Sequence, residues 1–168
     1  MRNGTTSIGG LAIPSEDPAF LAIVGVHVLI GMIAVIAGAI AMLSRKRPGR
    51  HPRAGTIYFW SLAALTTTAT VLAIMRWSEN YHLFVLGVLA ISAAVLGRHA
   101  RRQQWAGWAR YHIPGMGLSY VFMLTAFYVD NGKSIPIWNQ LPPILYWLLP
   151  TMVGVPLILR ALLRHSAL

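Results

Sequence analysis

Five stretches of this chain carry no Asp, Glu, Lys or Arg, at residues 19–43, 55–75, 81–97, 113–129 and 143–159. A helix needs about 20 residues, range roughly 17 to 25, to cross a hydrocarbon core, and each stretch meets or nearly meets that length. Lipid offers backbone N–H and C=O groups no partner, so only helices and closed barrels cross it. No alternating pattern of the kind that builds a barrel occurs. The chain is therefore expected to be all-α, an integral membrane helical bundle with five transmembrane helices. Composition agrees: of 168 residues, 56% are hydrophobic and 11% charged, where a soluble domain carries about 25% charged residues. Four acids and fourteen bases cannot cover the surface of a water-soluble globule of this size.

Orientation follows from where the bases sit, since Lys and Arg concentrate in cytoplasmic loops. Arg45, Lys46, Arg47, Arg50 and Arg53 fall in the first connection, Arg98, Arg101, Arg102 and Arg110 around the third, and Arg160 and Arg164 near the end. Glu16, Asp17, Glu79 and Asp130 all fall on the opposite side. The N-terminus is thus expected outside and the C-terminus in the cytoplasm, with the chain integral to the cytoplasmic membrane. The basic loops would meet anionic lipid headgroups, and loop bases of this kind give no reason to expect nucleic acid. Trp and Tyr favour the membrane interface and fit the same topology, with Tyr58, Trp60, Trp105, Trp108 and Tyr111 inside and Trp77, Tyr81, Tyr128, Trp138 and Trp147 outside.

Residues 1–18 lack a basic stretch followed by an apolar one, so they are expected to form a short extracytoplasmic tail rather than a cleaved signal. A single transmembrane domain at 19–164 and a tail at 165–168 complete the organisation. The segment RRQQWAGWARY at 101–111 reads either as a short surface helix or as a solvated basic loop. Asp130-Asn131-Gly132 is a helix stop in which Gly or Asn takes the left-handed conformation. Pro143, Pro150 and Pro156 predict a kinked, peripheral last helix.

The histidines are the most informative polar residues. His27 lies within the first stretch and His51 just before the second, while His82 and His112 stand similarly on the third and fourth. His27 and His82 are 55 residues apart, and His51 and His112 are 61 apart, a weak internal repeat in parallel orientation. Two depths result, each with one imidazole couple, His27 with His82 and His51 with His112. Paired neutral imidazoles without thiolate or carboxylate suit bis-histidine ligation of haem iron better than zinc, which takes four ligands in a closed site. The chain has no cysteine, which excludes disulfides, thiolate metal sites and covalent haem attachment. One or two haem b groups are therefore the cofactor expected, with His27, His82, His51 and His112 as iron ligands.

The helix face that carries His27 continues through Gly31, Ala34, Gly38 and Ala41, a groove of small side chains that could seat a flat macrocycle beside Gly31 and Gly38. Small residues also let helices approach closely in lipid, which is the competing explanation. Each histidine has its own alternative: solvation for His82, a headgroup contact for His51, a helix cap for His112. His99 and His165, among arginines, read as surface residues. Thr66, Thr67, Thr68 and Thr70 read as packing hydroxyls bonded to their own helix or a neighbour. No nucleotide-loop, zinc-protease or serine-hydrolase motif occurs, and no catalytic residue is assigned.

His27 before a Gly- and Ala-rich helix, then RKRPGRHPRAGTIYFW with its spaced His51, Gly55 and Tyr58, then the second histidine hairpin, together resemble bacterial membrane proteins classed as domain of unknown function 2306. The resemblance spans roughly residues 20–163, with Pro52 standing where that family more often has a second base. It implies a multi-pass bundle and no particular activity. Transmembrane diheme b-type cytochromes are similar in architecture, with histidine pairs at two depths. Three functions follow from the residues. The first is electron transfer across the membrane through haem. The second is a small proton- or solute-linked transporter using His27, the threonines and Asp130. The third is a non-catalytic subunit or assembly factor that docks on a membrane partner or on a second copy.

Overall fold

A computed structural model describes residues 6–8, 11–13 and 18–166. Its five helices are α1 (Pro18–Leu43), α2 (Arg50–Met75), α3 (Trp77–Arg102), α4 (Ala109–Asn131) and α5 (Ile144–Ser166). All five are long and apolar enough to cross a membrane, so the chain is an all-α membrane helical protein. A minor antiparallel ribbon, β1 (Thr6–Ile8) with β2 (Leu11–Ile13), precedes them. Most of the expected extracytoplasmic tail, including Glu16 and Asp17, lies outside the described residues, as do residues 167 and 168.

The helices run past the charge-free stretches at several ends. α2 begins at Arg50 rather than near 55, with Pro52 in its first turn, where a missing N–H costs nothing. α3 spans 26 residues to Arg102, or about 39 Å at 1.5 Å per residue against a core of about 30 Å. Its terminal arginines extend the helix beyond an apolar slab without having to enter it. Between α3 and α4, residues 103–108 form turns, so the loop reading of RRQQWAGWARY applies to its middle and the helical reading to its two ends.

The helices fall into two compact units, Met1–Tyr81 and His82–Leu168. In the first, α1 and α2 form an antiparallel hairpin. The Arg76 guanidinium stands 5.4 Å over the Phe20 ring, His27 meets Thr68, Leu65 lies against Gly31, and His51 reaches Ala41 at the far end. Ala34, Ala37, Gly38 and Ala41 are the buried residues along α1 beyond Phe20, while Leu29, Met32, Ile36 and Leu43 are exposed. Small residues inside and large apolar ones outside is the reverse of a soluble core and the expected arrangement in lipid.

The second unit packs α3 on α4 and α4 on α5, again antiparallel. Gly97 and Gly115 bring two backbones together: a Cβ on Gly115 would stand 2.7 Å from both Gly97 Cα and Ala93 O. On the other side of α4, Gly117 receives Ile158 and Gly154 receives Val121. Pro150 and Pro156 lie inside α5, whose Tyr146 is buried at its start. The helix stop at Asp130-Asn131-Gly132 differs from expectation. α4 does end at Asn131, but Gly132 is right-handed (φ −55°) and opens a single turn of tighter helix, Gly132–Ser134. Glycine is needed there for space, since a Cβ would lie 3.0 Å from the Tyr146 ring. That ring is fixed because its hydroxyl donates to the Trp138 carbonyl at 3.0 Å.

Backbone contact at Gly97 and Gly115 leaves no flexible atom to yield. Gly115→Ala is expected to destabilise the protein by about 1–3 kcal/mol through overpacking. Gly25→Ala, where nothing lies within 4 Å, should leave stability unchanged or raise it by less than about 1 kcal/mol. Reversible unfolding in mixed micelles measures both, and similar losses from the two variants would contradict the proposed contact.

Candidate functional site

The four histidines of the repeat are half-buried, whereas His99 and His165 are exposed. In α1, His27 Nδ1 lies 2.8 Å from the Thr68 hydroxyl of α2. That hydroxyl lies 2.9 Å from the Leu65 carbonyl and 3.2 Å from the Ala64 carbonyl; with its proton on either, its oxygen accepts from His27 Nδ1–H. At the loop end of the same hairpin, His51 Nδ1 is 2.8 Å from the Ala41 carbonyl. A carbonyl can only accept, so the proton is on Nδ1. The second hairpin repeats this contact: His112 Nδ1 donates to the Gly97 carbonyl at 3.0 Å. On a neutral imidazole that donates through Nδ1, the remaining lone pair belongs to Nε2.

His82 is held differently. Its ring lies 5.9 Å from that of Trp147 on α5, and it is close enough to the Asp130 carboxyl of α4 to interact with it electrostatically. The internal repeat thus has a structural counterpart. In the first hairpin His27 meets Thr68 of the second helix; in the second, His82 interacts electrostatically with Asp130. At the loop end of each hairpin, His51 or His112 ties the start of the second helix to a carbonyl near the end of the first. Thr68 and Asp130 as histidine partners were not legible in the sequence, because the partner depends on the hairpin's register.

Levels within each unit follow from helix rise. Ala41, the partner of His51, is 14 residues beyond His27, and Gly97, the partner of His112, is 15 beyond His82. At 1.5 Å per residue these are separations of about 21 and 22 Å. His27 and His51 therefore cannot share an iron, and neither can His82 and His112. Among the described residues no cluster of three or more His, Asp, Glu or Cys forms that could hold a metal ion.

Other expected features find simpler roles. Leu65 Cδ1 lies 3.5 Å from where a Gly31 Cβ would be, and Gly38 is buried. The notch at Gly31 is thus lined by a side chain of α2 at ordinary contact distance. Thr67 and Thr70 donate back to Ala63 and Thr66 carbonyls at 3.0 and 2.8 Å. Trp108 gathers ring contacts at one end of the second unit, with His112 at 5.8 Å and His165 at 5.9 Å, and Arg101 lies 4.4 Å over its face. Lys46 was missed as a structural residue: its ammonium donates to the Ala41 and Met42 carbonyls at 3.0 and 2.8 Å. A cation on the last turn of α1 satisfies end carbonyls and complements the helix dipole.

No family model, curated protein or solved structure matches the chain.

If His51 and His112 tie their hairpins together, each contributes about one hydrogen bond of stability. His51→Ala and His112→Ala are expected to cost about 0.5–1.5 kcal/mol each in protein without added cofactor, and His99→Ala nothing measurable. Unfolding midpoints for the three variants check this; an unchanged midpoint for both His51→Ala and His112→Ala would remove the tie.

Proposed function

We propose that this is a b-type haem protein of the bacterial cytoplasmic membrane that carries electrons across the bilayer. The observation that supports it most directly is the Nδ1 contact that holds each of His27, His51 and His112. A ligating histidine typically donates its other ring N–H to a carbonyl, carboxylate or hydroxyl, which orients the ring and raises the basicity of the ligating nitrogen. Nδ1 of each is held in such a contact, and His82 interacts electrostatically with Asp130. The proposed ligands are those expected from the sequence, His27, His51, His82 and His112. Iron would supply the redox chemistry. The chain's own residues hold and orient the rings, and the apolar helices exclude water. The likeness to the domain of unknown function 2306 family and to diheme cytochromes belongs to the same reading.

In this proposal the connections 44–49 and 103–108 face the cytoplasm, the N-terminus faces outward and the C-terminus inward. The chain's lack of cysteine makes the test direct. Single cysteines replacing Gln103 and Ser134 are expected to react with a membrane-impermeant maleimide from opposite faces, Ser134→Cys in intact cells and Gln103→Cys after lysis only. Labelling of both from outside would refute the topology.

Haem is tested by spectroscopy. Protein purified from haem-replete cells is expected to show a Soret band and a dithionite-reduced minus oxidised difference spectrum, both lost or strongly reduced in His27→Ala. Thr68→Val keeps the side-chain shape but removes the acceptor of His27 Nδ1–H. It should lower haem affinity about 10–100-fold, the usual effect of removing such a partner. A colourless haem-replete wild type would overturn the reading and favour the transporter alternative built on the same His27–Thr68 pair.

A further inference from the structure

One side of α1 carries an open groove of about 710 Å³ that runs onto the basic connection to α2. Its wall is apolar, with Ile36, Ile40 and Leu43 exposed along one stripe at helical spacing. From Ile36 to Leu43 the stripe rises about 10 Å. Its end is cationic: Arg45, Arg47 and Arg50 line the same groove. The chain places these three through a division of labour in the sequence SRKRPGR. Lys46 turns back to the Ala41 and Met42 carbonyls, and its neighbours Arg45 and Arg47 stay exposed. Among the described residues, the side chains of Arg45, Arg47 and Arg50 make no hydrogen bond or ion pair. No side chain caps the first turn of α2, which begins at Arg50, so the partial positive charge of that helix end adds to theirs.

From this juxtaposition we infer that the groove binds one anionic glycerophospholipid, its phosphate on Arg45, Arg47 and Arg50 and the upper part of an acyl chain along Ile36, Ile40 and Leu43. Guanidinium forks bind phosphate in two-point geometry, and no acidic residue lies in residues 18–53 to compete. A free phosphate would use the arginines and leave the wall idle. A lipid uses both, and the wall belongs to a helix apolar and long enough to cross the membrane, so the lipid is the occupant the surface fits. The second basic cluster differs, since Arg101 is already spent over the Trp108 ring at 4.4 Å. The inference rests on membrane placement and is independent of haem.

The full-length protein, reconstituted in nanodiscs of phosphatidylcholine and phosphatidylglycerol and then released for native mass spectrometry, is expected to retain one phosphatidylglycerol. In titrations with this lipid, the combined R45Q, R47Q and R50Q variant should bind at least about tenfold more weakly, and R101Q with R102Q as wild type. Replacing the same three arginines by lysine preserves the charge that directs insertion but loses the fork. It should weaken binding several-fold at unchanged helicity, which keeps the test decisive if the glutamine variant inserts poorly. Ala39→Phe fills the groove without altering charge and should also weaken lipid binding. Three results would overturn the proposal: equal retention by the lysine variant and wild type, equal loss from R101Q with R102Q, or displacement of the lipid by millimolar inorganic phosphate with no effect of Ala39→Phe.

Discussion

In lipid, two apolar helices gain nothing by hiding from their surroundings, because the surroundings are as apolar as they are; what remains is close contact and the hydrogen bonds it permits. The structure depends on that constraint. Where Gly97 meets Gly115 the α3 and α4 backbones touch, and there the Gly97 carbonyl comes within 3.0 Å of His112 Nδ1. A larger residue at either glycine would push the helices apart and pull that carbonyl out of reach. Packing and polar contact are therefore one event, and the small-residue stripe of α1 with the His51–Ala41 contact repeats it in the other hairpin.

This constraint explains what was legible in the sequence. The five spans were, since a charge-free run of about 20 residues has few other stable fates. Their ends were less so, because Arg50, Arg53, Arg101 and Arg102 continue helices past the apolar core, and absence of charge marks the core rather than the helix. Gly132 illustrates a second limit. Its place after Asp130-Asn131 signals a helix end, yet its reason is the Tyr146 ring at 3.0 Å, which comes from a residue 14 positions later whose approach no local pattern encodes.

The candidate site divides along the same line. The histidine repeat was readable as numbers in the chain. Its partners were not, since whether His27 meets Thr66, Thr67, Thr68 or Thr70 depends on the register of α1 against α2, and one residue of slip rotates a helix by about 100°. Once the register is known, Thr68 is the threonine within reach, its hydroxyl 2.8 Å from His27 Nδ1. Lys46 was hidden for a related reason. Among five bases in one connection nothing in the sequence marks which turns back to the helix, and only the course of residues 44–49 does so.

The loop-end histidines, His51 and His112, join structure and chemistry in a way that orders any functional account of the molecule. A hydrogen bond from Nδ1 to a carbonyl stabilises the hairpin whether or not Nε2 binds anything, so these imidazoles have a reason to be where they are before any cofactor enters. That bond also removes the freedoms that make a histidine a poor ligand, tautomer exchange and ring rotation. His27 has the same arrangement deeper along α1, where its cost is greatest, since a polar side chain among apolar helices must be satisfied or functional. Thr68 satisfies one nitrogen and leaves the other to account for the residue's presence at that depth. The hairpin contact alone would explain His51 and His112; it does not explain His27, and on that asymmetry the haem reading stands.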